Sequence, residues 1–413
     1  MSCASSSNEK GDEQAKTDDR AQSQSTETED EPRGPERPRD LDIPGVTEED
    51  RNASLEERLE RNDAKDEDAN DSPESKPADE PGRRAVAIPT DDLTLRGTLH
   101  LPKGAEESPA PGIVLTHGSG PLSRGEYISG QFLTHFGFEI AVFEELAEQL
   151  ADAGYVVLRY DKRTCRGSNN DHCRGNKYPE PDPDITIDAF ISDASDAVDW
   201  LAERDFVDPE KLVVLGHSQG ANFVPNLMKI NDSIRAGVMV AAPFRPVDEA
   251  YRAQANFLRE MLKKSGMPED RIRSMKSYER MDEIADSLER LRAGRYDGER
   301  LGGASVDFWT SWMRVGDDAP KIARKLDRPL LVLSGTYDYN VLPEETKLWR
   351  KALADANEDP GHRVAILDCI THALNCIAEE DPFKVKPDDL GRHVHAKVIK
   401  RIVSFLGDAG IRD

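Results

Sequence analysis

Aromatic side chains are scarce in this 413-residue chain, at 6%, and residues 1–82 contain no Trp, Tyr or Phe. That stretch holds five Ile, Leu or Val residues against 26 acidic and 11 basic side chains. So few apolar groups cannot bury enough surface to offset the entropy of ordering, and a disordered acidic tail is expected there. Long hydrophobic runs are also missing, since none approaches the roughly 20 apolar residues that span a bilayer. A basic excess is absent too: residues 83–413 carry 54 acidic and 44 basic side chains. This argues against nucleic acid or an anionic membrane as a partner. What remains after the tail, roughly 330 residues, is ample for one large core.

Cysteine is the next scarcity, with five residues in all. Four fall in two close pairs, Cys165/Cys173 and Cys369/Cys376, each in a loop-like stretch. Two disulfides in an oxidising compartment are expected, with buried free thiols as the alternative. Cys165, His172 and Cys173 form an incomplete ligand set at an unusual spacing, so no metal is expected. The fifth, Cys3, lies in Ser2-Cys3-Ala4-Ser5-Ser6-Ser7-Asn8, with no hydrophobic signal region behind it. This run resembles the start of a mature bacterial lipoprotein, in which a lipid-modified cysteine precedes a polar tether. On that resemblance Cys3 is a lipidation site, the only expected membrane connection, and the protein is exported to the cell envelope or periplasm. A cytoplasmic protein is the alternative, and the four paired cysteines favour export.

What the chain does have is a strand–turn–helix signal at Lys211–Ala221, KLVVLGHSQGA. Glycines two residues before and two after Ser218 permit a strained turn that lifts its hydroxyl clear of a sheet. The Gln219 N–H, at the start of a helix, faces the same space and is placed to hold an oxyanion. Further apolar runs at Arg84–Ile88, Leu93–Leu101, Ile113–Thr116, Tyr155–Tyr160, Gly237–Ala242, Leu330–Ser334 and Val364–Leu367 read as strands. Helical periodicity separates most of them. The expected fold is therefore α/β, a mostly parallel central sheet with helices on both faces. Residues 248–320 show helices without a strand signal, which predicts a helical lid inserted in the 83–413 domain. Its Trp309, Trp312 and Met313 are read as packing between lid and body.

A serine hydroxyl needs a base held against it and an acid to orient that base. Asp338 and His372 each stand just past the C-terminal end of an expected strand, the edge where open α/β sheets place their sites. The chain order Ser218, Asp338, His372 is that of α/β-hydrolases. Asp368, four residues before His372, is the alternative acid. His217 is read as a packing residue of its turn, and His117 as a group that steadies the 117–121 loop by hydrogen bonding and is not the base. His393 and His395, two apart on an expected helix, are read as surface residues.

On the segments HGSGP at 117–121, YDKR at 160–163 and GHSQG at 216–220, with Pro225, the chain from about residue 85 onward resembles bacterial α/β-hydrolase esterases. The resemblance lies near the dienelactone-hydrolase and prolyl-oligopeptidase-like branches, and closest to exported or lipoprotein acyl hydrolases. It implies that Ser119 donates the second oxyanion N–H beside Gln219. Departures occur after the YDKR motif, at Arg124-Gly125-Glu126, at Gln219, where relatives favour glutamate, and at Ala221; they leave substrate preference open. The expected function is cleavage of small carboxylic esters through an acyl-enzyme on Ser218, without cofactor. Amide or peptide hydrolysis is the alternative, and a non-catalytic binding protein on the same fold a further one. Nothing in the sequence sets an oligomeric state.

Overall fold

The computed structural model describes residues 82–412 apart from 130–137, 168–170, 174–175, 181, 355–359, 380 and 382–383. The chain divides into two units, Met1–Pro44 and Gly45–Asp413, and every described residue belongs to the second. Cys3 and the expected tail up to residue 81 lie outside the described residues.

Strands β1 (Arg83–Pro89), β2 (Thr94–His100) and β3 (Ala110–Thr116) open the domain. A short hairpin, β4 (Tyr127–Ser129) with β5 (Glu139–Ala141), leads into helix α1 (Val142–Asp152), which ends at Gly154 with φ +95°. Next come β6 (Val156–Tyr160), α2 (Ile187–Ala202), β7 (Val207–His217), α3 (Phe223–Ile230) and β8 (Ile234–Val240). The insertion follows as α4 (Val247–Lys264), α5 (Glu269–Ser274), α6 (Lys276–Arg292), a hairpin of β9 (Arg300–Leu301) with β10 (Ala304–Ser305), and α7 (Val306–Ala323). The chain closes with β11 (Leu330–Tyr337), α8 (Pro343–Ala354), β12 (Arg363–Thr371) and α9 (Ala396–Asp408).

Eight of the strands form one sheet in the order β1-β2-β6-β3-β7-β8-β11-β12. The first three pair antiparallel and the rest parallel. Period-two alternation sorts their side chains into two cores. Val114, Leu158, Val214 and Val332 pack on one face, with side chains of α2, α3 and α7. Ile113, Leu115, Val157, Val213 and Leu333 pack on the other, with those of α1 and α9. Apolar groups on both faces are why these strands read as unbroken hydrophobic runs. Each fully buried Leu, Ile or Val contributes about 1.5–3 kcal/mol, which ties the strand ends to a rigid frame. This is the α/β-hydrolase fold.

The inserted helices carry a small core of their own, Leu258, Leu262, Ile272, Met275 and Tyr278. Arg252 on α4 ties to Asp282, Asp286 and Glu289 on α6. The region is not purely helical, because β9 and β10 interrupt it. Four residues is too short a hairpin for hydrophobic periodicity to register. Trp309 and Trp312 stack at 5.5 Å on the core between insertion and body, and the Trp309 indole donates to the Leu301 carbonyl. His393 and His395 precede α9 instead of lying on a helix. His395 is its N-cap and accepts from the Lys397 N–H, while His393 meets Glu145 at 3.1 Å. No helix among the described residues is long and apolar enough to cross a membrane.

Candidate active site

Ser218 follows the last residue of β7 and opens a 3-10 turn, Ser218–Asn222, that runs into α3. Its φ of +52° is left-handed, a conformation that costs a non-glycine residue about 1–3 kcal/mol. The flanking glycines make the turn possible. A Cβ on Gly216 would lie 2.3 Å from the Gly220 carbonyl oxygen, and one on Gly220 would lie 2.3 Å from that of Thr116. The half-buried Ser218 lines a cavity of about 300 Å³ together with Ser119, Gln219 and His372.

Asp338 and His372 follow β11 and β12, whose register pairs Tyr337 with Thr371 across a bulge. That pairing sets the next residue of each strand side by side. The strands approach so closely that a Cβ on Gly335 would lie 1.9 Å from the Ile370 carbonyl oxygen. His372 Nδ1 stands 3.1 and 3.0 Å from the two Asp338 oxygens. Asp338 is fully buried, and its Oδ1 also accepts from the backbone N–H groups of Asn340 and Val341 at 3.0 and 2.7 Å. Asn340, Val341 and His372 thus converge on this one carboxylate. The alternative acid, Asp368, is exposed and meets the Thr336 hydroxyl at 3.3 Å. The structure brings together Ser218, Asp338, His372, Ser119 and Gln219 and leaves Asp368 aside.

A disulfide joins Cys369 to Cys376 and closes the loop that carries His372; a second joins Cys165 to Cys173. His172, beside the latter, stacks on Tyr127 at 3.7 Å and meets Glu139 at 2.7 Å. Backbone bonds from Ile377 N–H to the Cys369 carbonyl and from Thr371 N–H to the Asn375 carbonyl tighten the His372 loop further.

Behind the cavity lies a buried pair, Glu126 and His217, that no local pattern in the sequence joins. Glu126, fully buried, accepts through Oε1 from the Gly118 N–H at 2.7 Å and faces His217 Nδ1 at 3.1 Å. His217 donates through Nε2 to the His372 carbonyl at 3.0 Å. One pair thus connects the 117–121 loop, the sharp turn at Ser218 between β7 and α3 (the elbow) and the histidine loop. Burial by itself would lower the His217 imidazole, but the Glu126 charge and the hydrogen bonds to Glu126 and His372 outweigh it and hold the ring above its ordinary value. A raised folded pKa contributes stability that is complete below the unfolded value of about 6.5 and lost as pH rises through the folded one. Accordingly, wild type should exceed His217→Gln in urea midpoint by more at about pH 6 than at about pH 9. Lys162 works in the opposite sense but is present in both proteins and cancels. An equal gap at both pH values would refute the pairing.

The YDKR segment has a structural task at each polar position. Asp161 accepts from the Arg124 N–H at 2.9 Å, and Arg163 grips Asp193 at 2.6 and 2.8 Å and Asp92 at 2.9 and 3.1 Å. Lys162 reaches under the elbow to the Gly118 carbonyl at 2.7 Å and to Gln219 Oε1 at 3.0 Å. His117 packs between Phe143 and Tyr160, and burial, reinforced by the Lys162 charge, pushes its imidazole down to about 3. It is neutral at working pH.

The rest of the cavity wall comes largely from the insertion and from the loop after β11. Tyr251, Phe257, Met281, Trp312 and Tyr339 supply apolar surface, and Arg245 supplies charge. Arg245 is already paired with Glu345.

A family model described as "Serine aminopeptidase, S33" matches residues 133–376. Esterase EstD of Thermotoga maritima is 28% identical over 316 residues, which cover 76% of this chain and 65% of that protein. The chain therefore spans a little under two thirds of that relative. Polyketide transferase ATR5 of Stachybotrys chlorohalonatus is 30% identical over 165 residues, 39% of this chain and 46% of the transferase. Among solved structures, Est1E from Butyrivibrio proteoclasticus aligns with a TM-score of 0.45 at 15% identity, over 79% of this chain and 99% of its own. The α/β hydrolase GrgF from a Penicillium species aligns with a TM-score of 0.48 at 18% identity, over 79% and 98%.

Proposed function

Since the chain belongs to the serine aminopeptidase S33 family of hydrolases, we propose that it cleaves carboxylic esters through an acyl-enzyme on Ser218. The observation that carries this reading is the conjunction, at one sheet edge, of a strained Ser218 and a His372 whose Nδ1 lies 3.0 Å from a fully buried carboxylate. Ser218 Oγ attacks the acyl carbon and His372 takes its proton, while Asp338 holds the imidazole Nδ1–H. The N–H groups of Ser119 and Gln219 receive the oxyanion. The alcohol departs with the proton from His372, and a water activated by the same imidazole releases the acid. No cofactor enters the scheme.

The family description favours a second reading, removal of N-terminal residues from peptides. An aminopeptidase needs a carboxylate to hold the substrate's α-ammonium group. Among the described residues lining the cavity none is Asp or Glu, and the one charged side chain is the cationic Arg245. Ester cleavage is the better fit, as is the name of the Thermotoga relative. Aryl esters and amino-acyl anilides of matched leaving groups separate the two readings, and the ester is expected to be turned over at least about 100-fold faster. Preference for the anilide would reverse the assignment.

In this proposal residues 248–320 act as the lid that shapes the acyl pocket. Export to an oxidising compartment is part of it, supported by the two disulfides. The Cys369–Cys376 crosslink would then keep His372 in register. Such a small loop is worth about 2–3 kcal/mol of chain entropy, and 1.4 kcal/mol is a factor of ten in the population of a competent conformer. The double variant Cys369→Ser, Cys376→Ser is expected to lose at least about tenfold in kcat while keeping its far-UV spectrum. Unchanged kcat would show that hydrogen bonds alone hold the loop.

A further inference from the structure

Lys162 is 4% exposed, which is unusual for a lysine. Its ammonium donates at 2.7 Å to the Gly118 carbonyl and at 3.0 Å to Gln219 Oε1, and it lies 4.4 Å from the centre of the Phe190 ring. The acceptor at 118 matters because of the peptide it belongs to. In a trans peptide the C=O and the following N–H point in opposite directions. Anchoring the Gly118 oxygen on Lys162 below the elbow therefore turns the Ser119 N–H the other way, toward the cavity that Ser119 lines. A cation on the carbonyl also polarises the peptide and strengthens that N–H as a donor. The second acceptor orients Gln219. Its amide oxygen must face the lysine, and its Nε2 is left buried without a partner among the described residues.

We propose that Lys162 is the positioning residue of the oxyanion hole, a buried cation that sets the Ser119 and Gln219 N–H groups together by holding the Gly118 carbonyl and the Gln219 side chain. This rests on the ester-hydrolase reading above, and Lys162 itself touches no reacting atom. A device of this kind responds to pH, because a neutral amine is a weaker donor. Burial pushes the ammonium down to about 7, against the opposing charge of Glu126. The other titratable groups around it are His117 at the end of β3, Tyr160 on β6 and Asp193 on α2. His117 is neutral and Asp193 is engaged by Arg163. The oxyanion hole is thus expected to lose strength as pH rises through the neutral range, giving kcat an alkaline limb.

Two variants test this on a short-chain aryl ester, with fluorophosphonate labelling of Ser218 followed in parallel. Lys162→Met keeps an unbranched side chain one atom shorter and removes the donor. It is expected to lower kcat and the labelling rate by about 10–100-fold with KM within about twofold. Gln219→Glu supplies a carboxylate to the ammonium and should move the alkaline limb of kcat upward by about one pH unit. It remains informative if Lys162→Met fails to fold. Wild-type kcat in Lys162→Met, or an alkaline limb unmoved in Gln219→Glu, would overturn the proposal while the esterase reading stood. A wild type that neither turns over the ester nor labels would overturn both.

Discussion

Replacing Ser218 by alanine is expected to lower kcat/KM for a short-chain aryl ester by about 10⁴–10⁶-fold and to abolish fluorophosphonate labelling. At about 1.4 kcal/mol per decade this corresponds to roughly 5–8 kcal/mol of lost transition-state stabilisation. The expected size follows from the arrangement. His372 and Asp338 serve no nucleophile once the hydroxyl is gone, so their contribution falls with it. What survives is the binding cavity and the oxyanion donors, which by themselves leave a small residual rate. The fold should be unaffected, because alanine removes one half-buried oxygen and keeps the Cβ in the same left-handed turn. A variant that keeps its activity and still takes up the probe would place the nucleophile elsewhere and refute the mechanism.

The second large effect separates two aspartates. Asp338→Asn is expected to reduce kcat by about 10⁴-fold, whereas Asp368→Asn stays within about twofold of wild type. In the Asp338→Asn variant the amide oxygen would be drawn to the two backbone N–H groups that Asp338 Oδ1 now accepts. The amide NH₂ would then face His372 Nδ1 at the position of Oδ2, 3.0 Å away. That forces Nδ1 to be the acceptor and puts the proton on Nε2, the wrong tautomer for a base. Asp368 has no such leverage, as it lies exposed on the Thr336 hydroxyl. A loss in Asp368→Asn as large as in Asp338→Asn would show that the acid comes from β12.

The residues with a local signature were legible in the chain. Ser218 is announced by glycines at fixed offsets, and Asp338 and His372 by their places just past apolar runs. Such features depend on neighbours within a few positions, where sterics and hydrophobic periodicity act. Glu126 was not legible as a buried partner, because its contact with His217 spans 91 positions. It registers in the sequence only as part of a departure from relatives at Arg124-Gly125-Glu126. Lys162 stood in a motif that signalled kinship without a task, since its acceptor Gly118 is 44 positions away. The misplaced histidines 393 and 395 show the converse, an expected helix that starts three residues late because His395 caps it.

By itself the sequence determined the α/β class, the strand edge that holds the candidate site and the order of the three polar residues along the chain. It did so because strands, turns and elbows are short-range objects. Only the tertiary structure decided which carboxylate faces His372, that a buried Glu126–His217 pair ties three loops together, and that one lysine sits beneath both candidate oxyanion donors. Those are matters of register between distant strands and of charges that burial forces into contact, and neither leaves a trace in neighbouring residues. The chain order already favoured Asp338 over Asp368; the contact itself comes from the register of β11 and β12, in which a bulge and the close approach at Gly335 leave the ends of both strands side by side.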